Sequence, residues 1–109
     1  QLILREDKFP LDGIPVGFSG TDYVVCSMVD DYFRLGEKDR GRSLAVKLAN
    51  QLLVSSQFYL QFYAYAKDDF EMCGRYIYHL GDLLREHGET EMADKIEASL
   101  KALLEAAAS

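Results

Sequence analysis

Two cysteines, two histidines and two prolines are all that the 109 residues hold of those three types. Each scarcity excludes something. Cys26 and Cys73 are too few and too far apart for a metal-ligand pattern, and one pair makes no disulfide framework. Both sit among apolar neighbours at helical spacing, so both are expected to be buried free thiols, with the redox compartment left open. Neither His79 nor His87 stands in the Cys/His ligand pattern of a zinc site. No stretch approaches the roughly 20 consecutive apolar residues that cross a bilayer, so no membrane insertion by this segment is expected. Basic residues are short as well, 12 against 18 acidic, for a net charge of -6 and a pI near 4.8. That balance argues against nucleic acid and anionic membrane surfaces, which need clustered Lys and Arg.

Catalytic signatures are equally scarce. Ser19 lacks the G-x-S-x-G frame of a nucleophile elbow, and neither cysteine has a companion histidine at a telling spacing. Gly13, Gly17, Gly20 and Thr21 lead toward a helix start as a phosphate cradle does, yet the Walker lysine is missing, and turn chemistry is the expectation there. Asp68, Asp69 and Glu71 form a carboxylate cluster open to a divalent cation. Acids in a first helical turn also satisfy the helix dipole, which is the preferred reading, and no second cluster pairs with this one for acid/base work. No catalytic residue, cofactor or metal is assigned. The first residue is Gln1, which suggests a piece of a longer polypeptide.

What the sequence does have is an internal echo. Residues 33–52, FRLGEKDRGRSLAVKLANQL, return 52 positions later as residues 85–104, REHGETEMADKIEASLKALL. Gly36 aligns with Gly88, Glu37 with Glu89, Leu48 with Leu100 and Leu52 with Leu104. The repeated unit is a helix, a glycine turn and a second helix, and repeats of helix pairs are scaffolds far more often than catalysts.

Around that echo the chain divides into an arm, residues 1–20, and a helical domain, residues 21–109. The arm holds both prolines and three glycines, but Leu2, Ile3, Leu4, Phe9, Leu11, Ile14, Val16 and Phe18 predict that it packs along the helices. Ser19 or Thr21 is placed to cap a first helix with Val25, Met28, Val29, Tyr32 and Leu35 inward, stopped by Gly36. A second helix spans about 39–54 with Leu44, Leu48 and Leu52 inward. Ser55 and Ser56 then permit a break before an aromatic helix at 57–67. A fourth, about 69–86, repeats Phe70, Cys73, Ile77, Leu80 and Leu84 until Gly88, and Thr90 caps a last helix with Ala93, Ile96, Leu100, Leu103 and Leu104 inward. Hence the expected fold is all-α, with four to five helices in antiparallel pairs. The charges Arg34, Lys38, Arg40 and Arg42 are expected on a solvated face balanced by Glu37 and Asp39.

Leu80, Gly81, Gly88 and Ala93 resemble the tetratricopeptide pattern, which implies closely approaching antiparallel helices. The first unit departs from that pattern at Val29 and Gly41, and the period is 52, not 34. More broadly, the runs FPLDGIPVG, YFRLGEKDRGRSLAVKLANQL and QFYLQFYAYAKDDFEMCGRYIYHLGDLLREHGETEMADKIEASL are similar to the soluble C-terminal region of large, uncharacterised bacterial multi-spanning membrane proteins. Those proteins resemble protein O-mannosyltransferases in their membrane part. The resemblance implies an accessory helical domain outside the bilayer, on the extracytoplasmic (periplasmic) side; without it a cytoplasmic location is equally open. Any glycosyl transfer would belong to the absent membrane portion.

The aromatic helix 57–67 is where specificity is expected. Phe58 and Phe62 are assigned to the core, and Tyr59, Tyr63 and Tyr65 to a surface for a protein partner, either other domains of the same chain or a second copy. The competing reading is a sugar- or peptide-binding module, or an enzyme fragment, using the same helix with Asp68, Asp69 and Glu71.

Overall fold

The computed structural model describes residues 21–108, with side chains described from 25 to 107. The arm, the glycine-rich segment and the cap at Ser19 or Thr21 lie outside these described residues or side chains. Four helices follow one another: α1 (Thr21–Arg34), α2 (Lys38–Gln61), α3 (Tyr63–Glu86) and α4 (Thr90–Ala108). Among the described residues there is no strand, and the fold is all-α as expected.

The two short turns are built alike. Gly36 and Gly88 each adopt φ +82, and they are the only described residues at positive φ. A glycine tolerates this where a Cβ would crowd the backbone. Around them the hydrogen bonds repeat in the 52-residue register. Glu37 N–H donates to Tyr32 O and Glu89 N–H to Leu84 O, each at 2.8 Å; Gly36 N–H donates to Phe33 O at 3.1 Å and Gly88 N–H to Arg85 O at 3.0 Å. This is the Schellman closure, which satisfies carbonyls the helix end would orphan. The echo in the letters is thus an echo in the backbone.

Apolar faces then pack. Val25, Val29, Leu44, Leu48, Leu52, Ile77, Leu80 and Leu84 are fully buried in one cluster that also takes in Ala93, Ile96 and Leu100. The interface of α2 with α3 is the most extensive, flanked by α1 on α2 and α4 on α3. At one of the two close contacts the bulk has moved across the helix interface between the units. A Cβ on Gly81 would strike the Glu97 carboxylate, whereas the equivalent first-unit positions are buried Val29 and Ala45. A Cβ on Gly41 would meet the Phe33 ring at 2.9 Å, whereas the second unit has Arg85 and Ala93 there. Large faces small in both units, with the assignment reversed at Val29/Ala45 against Gly81/Glu97 and kept at Phe33/Gly41 against Arg85/Ala93.

Three expectations are corrected. Ser55 and Ser56 do not break the chain: both are fully buried inside α2, and Ser56 Oγ donates to Leu52 O at 2.8 Å. A back-bonded hydroxyl stays helical, and a small side chain lets α3 come close. Leu35 is not inward but 71% exposed, because α1 ends at Arg34 and Leu35 belongs to the turn. Leu104 is also exposed at the end of α4, with Leu103 taking the partly buried position.

Candidate interaction surface

The separate aromatic helix at 57–67 does not exist. Its residues divide between the end of α2 and the start of α3, and two residues leave the helical region between them, the first being Phe62 at φ -120 and ψ 36. Phe62 N–H donates to Tyr59 O at 3.0 Å, and Phe62 O accepts from Tyr65 N–H at 2.8 Å and Ala66 N–H at 2.9 Å. A second irregularity follows at Ala66, φ -123 and ψ 29, where α3 is kinked.

Helix lengths explain what this hairpin does. At 1.5 Å per residue, the 24-residue α2 and α3 run about 36 Å each, whereas the 14-residue α1 runs only about 21 Å. Because α1 and α2 diverge from the Gly36 turn as an antiparallel pair, α1 begins level with about Gln51. Past that level α2 and α3 continue, carrying the aromatic residues to the tip.

Of the three tyrosines assigned to a surface, Tyr65 is 94% and Tyr63 42% exposed, while Tyr59 is half-buried. Tyr63 meets buried Phe70 edge-on, with ring centroids 5.8 Å apart, and Tyr59 meets Phe58 edge-on at 5.5 Å. They do not converge on one pocket: Tyr59 is on α2, the other two on α3. Phe58 and Phe62, assigned to the core from sequence, are 45% and 49% exposed and touch one another at 5.4 Å. The reason is that α3 covers only one side of α2 here. The inward side goes to Ser55, Ser56 and Cys73, which leaves Phe58 and Phe62 outside. A signal in the sequence does mark this surface: from Leu48 to Ala66 no residue is charged, the longest such run in the chain.

A network of ion pairs gathers at the opposite end, near the two glycine turns. His87 Nε2 lies 2.6 Å from Asp30 Oδ1, Arg34 Nε donates to Asp30 Oδ2 at 2.6 Å, and the His87 ring stacks on Phe33 at 5.0 Å. His87 and the Arg34 guanidinium hold the Asp30 carboxyl below its ordinary range, against a smaller opposing effect of burial. Arg42, expected on a solvated face, instead reaches across the units to Glu89 at 2.8 Å while also meeting Asp39 at 3.4 Å. Arg85 binds Glu97 with both arms at 2.8 Å and Asp94 at 2.8 Å, and these bonds raise its pKa. Arg34–Asp30 and Arg42–Asp39 have the local i,i+4 and i,i+3 spacing of a helix face, but the sequence could not reveal the other pairs, whose members lie 9 to 57 positions apart.

Asp68 and Asp69 border a shallow depression of about 280 Å³ with Ala64, Tyr65 and Lys67. They stand just after the Ala66 kink and not in the first turn of α3. Among the described residues, no group of three or more His, Cys, Asp or Glu is arranged to hold a metal ion. Cys26 and Cys73 are buried thiols that are not joined in a disulfide. A larger open groove of about 580 Å³ runs along α3 and α4, with Gly74 and Leu100 beneath and Arg75, Tyr78 and Leu104 at its edges. The chain matches no known protein family, curated protein or solved structure.

Proposed function

We propose that this chain is a non-catalytic helical domain that mediates protein interaction, an accessory part of a larger, membrane-anchored protein. The observation that carries this reading is the hairpin tip: Phe58, Phe62, Tyr63 and Tyr65 stand exposed within a segment free of charge. Exposed aromatic side chains gathered in one segment mark contact with another macromolecule more often than with water. The tetratricopeptide-like spacing of Leu80, Gly81, Gly88 and Ala93 supports the same role, since stacked helix pairs present extended faces to partners. The resemblance to soluble regions of bacterial multi-spanning proteins supplies the setting, an extracytoplasmic position beside a bilayer. No described helix is long and apolar enough to cross a membrane.

A second reading, a binder of a sugar or short peptide, draws on the groove beside Tyr78, where a ring face is bordered by Arg75, His79 and Asp82. A thermal-shift panel of sugars, short peptides and divalent cations separates the two. The interaction reading expects no saturable rise in Tm with any of them. A rise that disappears in Tyr78→Ala establishes the binder in its place.

A further inference from the structure

Each unit of the repeat presents a face to what stacks upon it, and the first unit's face is covered by α3, which lies on both α1 and α2. Asp30 of α1 meets His87 at the end of α3, so the side of α1 that carries Asp30, and Cys26 one turn before it, is turned toward α3. Cys26 and Leu52 of α2 are both fully buried. In the 52-residue register their places are taken in the second unit by Tyr78 and Leu104. These two are 47% and 40% exposed, and they border the open groove along α3 and α4. That groove is therefore the second unit's copy of the surface that α3 occupies on the first. A terminal repeat normally ends in a polar face. Here Tyr78 and Leu104 stand half in water beside Gly74 and Leu100.

The floor of the groove points the same way. Gly41 makes room for the Phe33 ring, and Gly81 for the Glu97 carboxylate, each from the neighbouring helix of its own unit. Gly74 also lies inside a helix, yet its nearest neighbour is Leu100 Cδ2 at an ordinary 3.8 Å, and the space beside it opens into the groove. The notch is present, and no described side chain fills it.

Charge fixes the direction of the occupant. Asp30 holds Arg34 of its own helix at 2.6 Å and also takes His87 from the helix that covers it. Asp82 stands in the same register, 3.5 Å from Arg85 of its own helix, exposed at the end of the groove nearer Gly88. A helix lying parallel to α3, with a basic residue where it ends, meets Asp82 as His87 meets Asp30. From Phe70 to Asp82 the groove runs about 18 Å, three to four helical turns.

We infer that the α3–α4 groove receives an amphipathic helix of a partner protein. Its apolar stripe covers Tyr78, Leu100 and Leu104, a bulky side chain enters the notch at Gly74, and a basic residue at its C-terminal end reaches Asp82. This is helix-in-groove recognition. The inference rests on the interaction reading and gives it a surface besides the tip and a class of partner.

The test titrates the full chain with a capped peptide of residues 69–88 carrying Cys73→Ser, because α3 already fits the equivalent face of the first unit. Saturable binding with Kd below about 100 µM is expected by calorimetry, with a gain of helical circular dichroism. Gly74→Leu fills the notch and improves helix propensity, so it is expected to leave Tm unchanged or higher while weakening the peptide at least ~10-fold. Leu104→Asp is expected to weaken it similarly. Asp82→Lys weakens the unchanged peptide, and His87→Glu in the peptide restores binding to that variant. No saturable binding, or binding indifferent to both Gly74→Leu and Leu104→Asp, overturns the inference. Self-association of the chain that Gly74→Leu abolishes, or a photo-cross-link from position 104 to residues 1–20 of the same chain, makes the occupant the chain itself and overturns it as well. The failures are distinguishable. A peptide that does not bind removes the helix alone and leaves the interaction reading with the tip. A sugar, or a five-residue fragment bound as tightly as the whole peptide and lost in Gly74→Leu, gives the groove to the small-ligand reading and removes the interaction reading too.

Discussion

Replacing His87 and Asp30 by alanine, singly and together, tests how the first helix is held to the second unit. His87 closes α3 while Asp30 lies on α1, and their side chains meet at 2.6 Å with each 21% exposed. A charge-assisted hydrogen bond nets about 1.5–3 kcal/mol when shielded from water. With both partners partly solvated, the discounted expectation is about 1 kcal/mol of coupling energy in the double-mutant cycle. His87→Ala also removes the stack on Phe33, so its own cost should be nearer 2 kcal/mol. Urea unfolding supplies the assay, with the m-value checked for constancy across the four proteins. The pH dependence adds a signed test. The Asp30 carboxyl is depressed in the folded state, chiefly by His87, so the unfolded chain takes up its proton first as the medium is acidified. The stabilisation is therefore complete above the unfolded pKa, near 3.8–3.9, and is lost as pH falls through the lower folded value. Between pH 5 and pH 3 the native chain should lose more stability than His87→Ala, whose Asp30 moves back toward its ordinary range. A coupling energy indistinguishable from zero, or a steeper acid loss in His87→Ala, would refute the reasoning.

The two glycine turns should respond alike: Gly36→Ala and Gly88→Ala, each forced to φ +82 with no neighbour within 4 Å, should each cost about 1 kcal/mol and lower Tm by roughly 5 °C, and clearly unequal losses in calorimetry would deny the equivalence. Gly41→Ala drives a Cβ into the Phe33 ring and should cost about 2 kcal/mol by chemical denaturation, with Phe33→Leu in the same chain recovering part of it; an additive double variant would show that the ring is not the obstacle. Gln51 is 4% exposed and its Nε2 has no hydrogen-bond partner, so Gln51→Met should raise stability by about 1 kcal/mol, and a destabilised variant would mean that the amide is satisfied in solution.

The core of this fold was legible because its spacing is local. Val25, Met28, Val29 and Tyr32, Leu44, Leu48 and Leu52, and Cys73, Ile77, Leu80 and Leu84 follow helical periodicity and are buried. The candidate surface was legible only in part. Tyr63 and Tyr65 are exposed at the tip, but Phe58 and Phe62 were assigned inward by hydrophobicity alone. Nothing in their neighbourhood says that the adjoining helix is too narrow a cover to reach them. The reversal itself was hidden, since helix stops are usually marked by glycine or proline and here Phe62 and Ala66 are the residues that leave the helical region.

The amino-acid sequence by itself determined the all-α class, the two glycine turns and the 52-residue equivalence of the units, because turns and periodicity act within a few residues of one another. Tertiary structure alone decided the rest. It made Ser55 and Ser56 a close helix contact instead of a break, set α1 short of the hairpin so that the aromatic residues project, and joined Asp30 to His87 and Arg42 to Glu89 across the units. Those outcomes depend on which surfaces meet when helices of unequal length are stacked, a property of the packed set that no single segment carries.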